Sequence, residues 1–207
     1  MTAFFIKGIA FGFVLAATVG PMWVLCLRRT LAAGALVGFA SGMGIAVADA
    51  LYGAVAAFGL AAASSFLLGH GFWIGLVGSA FLLWLGAKTL LAKPVPIEAG
   101  KEPAESSARR LAAAFFSTLG LTLANPPTIL AFAAIFAGLG LAANADYAIA
   151  AAVVAGVFLG SAGWWVILAA SAGRLRSRLG PDWMRAINVV SGLTILGFAA
   201  WQLAQLL

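Results

Sequence analysis

The sequence predicts an all-α membrane protein of six transmembrane helices, arranged as two inverted three-helix repeats with spans 1 and 4 broken at proline. Three observations predict it. The chain of 207 residues is 64% hydrophobic and 9% charged, against about 25% charged in an ordinary soluble domain. It holds six apolar stretches, each as long as the roughly 20 residues that cross a bilayer as a helix. Its basic residues fall in alternate connections, the pattern that orients multi-span proteins. The mean hydropathy of +1.09 leaves too little polar surface to cover a soluble globule.

The stretches lie at about 3–27, 33–63, 71–92, 110–140, 145–172 and 183–206. The second and fourth are longer than a crossing needs, so they tilt, break or extend past the lipid. The first is not a signal peptide. Its apolar run is too long for one, and it ends at Arg28 and Arg29. The connection after span 3 holds Lys93, Lys101, Arg109 and Arg110, with Lys88 at its edge; that after span 5 holds Arg174, Arg176, Arg178 and Arg185. The connections around His70 and Asp146 hold no Lys or Arg. Eleven of twelve basic residues therefore share one side, and only Lys7 lies on the other. The positive-inside rule makes that side cytoplasmic and puts both termini outside, in a multi-pass protein of the cell inner membrane. The net charge of +6 is thus a topology signal, with contact to anionic membrane lipid secondary. A nucleic-acid partner is not expected.

Residues 93–109 form the one polar linker, rich in Pro and Lys/Glu. It divides the chain into a first three-span half, 1–92, and a second, 110–207. Three is odd, so the second half enters the membrane inverted, the layout of many secondary transporters. Similar features recur in the two halves. Span 1 breaks at Gly20-Pro21 and span 4 at Asn125-Pro126-Pro127. Spans 2 and 5 carry glycines four apart, and spans 3 and 6 share a Leu-Gly pair (Leu85-Gly86 and Leu196-Gly197). Gly34, Gly38 and Gly42, like Gly156 and Gly160, read as packing seams, since small residues at this spacing let helix backbones approach in lipid. Such seams allow a homodimer without requiring one.

Proline inside a helix removes a backbone hydrogen bond, at about 3 kcal/mol in water. In lipid the freed groups must find protein, ligand or a wet cavity. Asn is a favoured N-cap and Pro a favoured first helical residue, so Asn125-Pro126-Pro127 reads as a helix start in mid-membrane, between half-helices 110–124 and 127–140, in preference to an ordinary proline kink. Its unpaired N–H groups and positive dipole end suit a carboxylate. Gly20-Pro21 reads either as a second such start, with Thr18 adding a hydroxyl, or as an ordinary kink. Asp49 lies near the centre of span 2, with no basic residue in the apolar part of that span. A bare carboxylate there costs about 2.5–3.5 kcal/mol even on the lenient insertion scale. It would bind a substrate ammonium or carry a proton; the bland reading is a protonated acid hydrogen-bonded in a packed interface. Span 5 has no acidic counterpart.

The remaining polar residues read as structural. His70 sits in a loop, Asp146 caps span 5, Trp73 and Trp183 anchor span ends, and Trp164 and Trp165 pack. Gln202 and Gln205 read either as lining a wet path or, the favoured reading, as belonging to a solvated helix end. Cys26 is a buried thiol, and one Cys with one His makes neither a disulfide nor a metal site. No catalytic dyad or triad and no phosphate-cradling loop is present. Neither an enzyme nor a cofactor is expected.

Thr18-Val19-Gly20-Pro21, the span 2 glycines through Asp49, Gly78-Ser79-Ala80-Phe81-Leu82-Leu83-Trp84-Leu85-Gly86, Asn125-Pro126, and Ile187-Asn188-Val189-Val190 with Gly197 together resemble the lysine-exporter (LysE/RhtB) superfamily. The resemblance covers nearly the whole chain in order. It departs at Val19, where the family often has the first proline of Pro-Gly-Pro, and at Pro127, where it often has lysine or a small residue. It implies proton-driven export of an amino acid and carries Gly20, Pro21, Asp49, Asn125 and Pro126 over as site positions. The expectation is a secondary transporter exporting an amino acid or similar small zwitterion. Thr18, Gly20, Pro21, Asp49, Asn125, Pro126 and Pro127 would contact substrate, and Asp49 would also couple protons. The alternatives are an inorganic cation exporter, which predicts clustered acids, thiols or histidines, and a non-transporting membrane scaffold or assembly factor.

Overall fold

A computed structural model describes residues 1–57, 69–92, 108–125, 128, 132, 147–176 and 180–206. Among them the chain forms seven helices of thirteen residues or more and no strand: α1 (Thr2–Ala17), α2 (Pro21–Ala33), α3 (Ala35–Ala57), α4 (Gly71–Leu90), α5 (Ala108–Leu123), α6 (Tyr147–Arg176) and α7 (Pro181–Ala204). Segments of α3, α4, α6 and α7 are each long and apolar enough to cross a membrane. α1 and α2 pass the same test as a pair, but are bent by 74° at the break between them. The described residues thus hold four spans, or five with the bent pair. α5, at 16 residues, stops where the sequence breaks span 4, and the expected second half-helix 127–140 lies almost wholly outside the described residues. So do the 93–107 part of the linker and Asp146.

Local chemistry sets the helix ends. Gly20 caps α2 in an extended conformation, and Pro21 supplies a first residue with no N–H to orphan. α2 stops at Gly34, whose φ of 97° lies in the region that only glycine enters without strain. This corrects one expectation: Gly34 is a hinge between α2 and α3 rather than part of a span 2 seam. α7 repeats the start motif with Gly180 and Pro181, and Asp182 sits in its first turn against the helix dipole.

The other glycines do form seams. α1 lies along α6. A Cβ on Gly160 would sit 2.8 Å from the Phe13 nitrogen, one on Gly156 2.9 Å from the Ile9 nitrogen, and one on Gly12 2.8 Å from the Val157 Cα. Backbone meets backbone here, so no side chain fits. A Cβ on Gly42 would strike the Trp165 side chain, and one on Gly38 the Thr30 side chain. α3 is the central helix, packed on α2, α5 and α6, while α4 packs on α7. Leu25, Cys26, Ala46, Trp165, Ile195 and Ala199 are core residues where these helices meet.

Two arginines gather one end of the bundle. Arg29 on α2 donates through Nη1 to Ser41 Oγ on α3 at 3.2 Å and to the Ala114 carbonyl on α5 at 3.1 Å, and through Nη2 to Ser117 Oγ at 2.9 Å. Arg28 donates through Nε to Asn188 Oδ1 on α7 at 3.0 Å, and Asn188 donates to the Ala92 carbonyl beyond α4 at 3.3 Å.

Candidate functional site

The α1–α2 break opens onto a cavity of about 360 Å³, at the small end of the roughly 300–1,000 Å³ of ligand pockets. α1, α2, α3, α5 and α7 all contribute walls, and Trp165 adds α6. Five of the sequence-predicted residues, Thr18, Gly20, Pro21, Asp49 and Asn125, line this one space. Pro126 and Pro127 lie outside the described residues.

The break supplies donors. Gly20 has no side chain to cap α2, and the Val24 N–H already bonds to the Gly20 carbonyl at 3.0 Å. Pro21 has no N–H, so the N–H groups of Met22 and Trp23 are left without a partner among the described residues. They sit at the positive end of a 13-residue helix. The Thr18 hydroxyl turns back to the Val14 carbonyl at 3.0 Å, so only its oxygen lone pairs remain for a ligand.

Asp49 supplies the acceptor. Its side chain is 2% exposed and lines the cavity. One oxygen, Oδ2, accepts from the Ser161 hydroxyl of α6 at 2.7 Å. The other has no hydrogen-bond partner among the described residues. A buried carboxylate oxygen without a donor is costly in a low-dielectric interior, so this atom is where a ligand proton gains most. The bond to Ser161 also fixes the carboxylate's rotation.

On the opposite break, the Tyr52 hydroxyl donates to the Leu123 carbonyl, one of the orphan carbonyls where α5 ends. Among the described residues, the Asn125 side-chain oxygen accepts no N-cap bond. Its amide nitrogen donates to the Thr128 hydroxyl at 2.9 Å, while the Thr128 N–H bonds to the Asn125 backbone carbonyl at 3.1 Å.

Two further wall residues are Gln202 and Trp165. Gln202 is 5% exposed, lines the cavity, and donates through Nε2 to the Gly75 carbonyl of α4 at 3.3 Å. Of the two expected readings the wall position holds for Gln202, whose side chain lies on the face of α7 packed along α4, while Gln205 is exposed at the solvated end. Trp165 is fully packed, as expected, yet also forms part of the cavity wall beside Ile45. Trp73 and Trp183 are largely exposed, and His70 precedes α4 at the surface. Cys26 is wholly buried, its thiol donating to the Gly38 carbonyl at 3.2 Å.

A multi-pass helical bundle with a largely apolar cavity, holding a few polar groups, at a helix break is the architecture of a membrane transporter. The LysE type translocator family matches residues 13–205. The chain belongs to that family, and is therefore a transporter of a small molecule. No curated protein sequence and no solved structure matched the chain.

Proposed function

We propose that the protein exports an amino acid or similar small zwitterion from the cytoplasm, driven by the proton gradient. One observation carries this reading: an unpartnered oxygen of buried Asp49 lines the same cavity as the uncapped start of α2. An amino acid offers an ammonium to the first and a carboxylate to the second. Thr18, Gly20 and Pro21 would frame the carboxylate end, with Asn125 and the following Pro126 and Pro127 contributing from the second break. Asp49 alternates between ammonium and proton, so binding substrate releases the proton and the empty carrier returns protonated.

The packing supports an inverted repeat. α1 on α6 pairs spans 1 and 5, and α3 on α5 pairs spans 2 and 4. Exchanging the halves turns each of these pairs into the other, and leaves the α3–α6 and α4–α7 pairs unchanged. Alternating access then follows as rocking of 1–92 against 110–207 about the cavity. The basic end of the bundle faces the cytoplasm, and both termini lie outside the inner membrane.

Nothing favours a cation exporter: among the described residues no three His, Cys, Asp or Glu come together. The test is efflux. Cells expressing the protein are loaded with a panel of dipeptides, and released amino acids are measured with and without a protonophore. Expression is expected to raise efflux of a subset of amino acids, and the protonophore to abolish the gain. Efflux equal to that of cells lacking the protein across the whole panel would reject the reading.

A further inference from the structure

We propose that the substrate is an amino acid with an uncharged side chain, held at its ammonium by Asp49 and Gln202 together. The proposal rests on the amino-acid reading above. Among the described residues that line the cavity, Asp49 is the only ionisable one. Gln202 has its nitrogen engaged by the Gly75 carbonyl, which leaves its oxygen as a second neutral acceptor. Beyond these the polar lining is neutral, from Thr18, Thr122, Asn125 and Thr128, and the rest is aliphatic and aromatic, with Ile45, Trp23, Trp165, Phe198 and Trp201 prominent. A substrate with one ammonium and one carboxylate spends both on the groups named. A second charge, as in lysine, arginine or glutamate, would leave water for a wall without a counter-ion, a desolvation penalty that the aromatic faces offset only in part for a cation and not at all for an anion. Leucine, methionine or phenylalanine would instead gain by burying an apolar side chain.

Purified protein in proteoliposomes tests this by counterflow, each labelled amino acid being offered against its unlabelled form inside. Neutral apolar amino acids are expected to exchange, and lysine, arginine and glutamate to exchange at least about tenfold more slowly. Lysine or glutamate exchanging as fast as leucine would overturn the substrate class while leaving amino-acid transport intact. No counterflow for any amino acid would sink the parent reading as well. Gln202→Leu should raise the KM for leucine about tenfold with little change in maximal rate; an unchanged KM removes Gln202 from the site.

A second inference rests on other residues: we infer that α2 is the gate on the basic side of the cavity. It is a rigid segment with a glycine at each end. Gly20 has open space where a Cβ would be, and Gly34 has the positive φ. Its first turn lines the cavity, and from there it runs about 20 Å at 1.5 Å per residue toward the arginine end. There Arg28 and Arg29 tie it to α3, α5 and α7 through hydroxyl, amide and carbonyl groups only. No carboxylate among the described residues pairs with either. These are charge-assisted bonds to neutral acceptors, so no ion pair has to be broken when α2 moves and water can take the place of each acceptor. In this arrangement α2 is tied across the arginine end, and loading from the cytoplasm requires it to swing away.

The chain's one cysteine reports that swing, since Cys26 lies on α2 with its thiol buried against Gly38. A membrane-impermeant maleimide is applied to the arginine side of vesicles. Labelling is expected to be slow without substrate and several-fold faster during counterflow. It should also be faster without substrate in the Arg28→Gln/Arg29→Gln variant. Counterflow that proceeds in the wild type without any rise in labelling would overturn the gate, whether or not the variant folds.

Discussion

At the residue scale the account turns on one carboxylate with one hydrogen bond. Asp49 was legible in the sequence because an acid inside an apolar span stands out against everything around it. Its partner was not legible: Ser161 is 112 positions away, and only the packing of α3 on α6 brings its hydroxyl to 2.7 Å. Ser161→Ala removes that donor but leaves the acid. It should weaken transport less than Asp49→Asn does, by about tenfold in kcat/KM, which initial-rate counterflow would show. Gln202 illustrates the same limit. A glutamine near the end of the last span allows a solvated helix end or a place on a wet path, and the choice depends on Gly75, 127 residues earlier. Arg28 and Arg29 carry two meanings, of which only one is local. As basic residues after span 1 they mark topology; as hydrogen-bond donors to three other helices they hold one end of the bundle together.

At the element scale, helix breaks and glycine seams were the most legible features, because they depend on backbone chemistry within a few residues. Gly20-Pro21 allowed a kink or a fresh helix start. The 74° bend and the extended Gly20 show a fresh start. The seam between α1 and α6 shows as glycine spacing in α6; its complement in α1 is Gly8 and Gly12, whose role depends on a partner helix about 145 residues away. Gly160→Ala would force a methyl group into the α1 backbone. It should destabilise the bundle by about 1–3 kcal/mol, seen as a lower thermal unfolding temperature in detergent. Gly34→Ala should cost about 1–3 kcal/mol through its positive φ. Gly20→Ala meets neither obstacle and should leave stability nearly unchanged in the same assay.

At the scale of the whole molecule, composition and alternating charge determine that the chain lives in a membrane, and the order of its motifs places it in the LysE type translocator family. What the linear chain hides is convergence. Residues 18–21, Asp49, Asn125 and Gln202 meet only because α3 stands at the centre and α7 closes the far wall. Reporter fusions at each end of the chain should be accessible from outside the cell, and a fusion within 93–107 from the cytoplasm; the reverse pattern would invert the direction proposed for α2. The most direct test of the central claim is amino-acid counterflow in proteoliposomes by the wild type and by Asp49→Asn, compared at equal protein and confirmed folding. The account predicts saturable exchange by the wild type and a loss of at least about tenfold in the variant. Equal exchange by both, across every substrate the wild type carries, would contradict it.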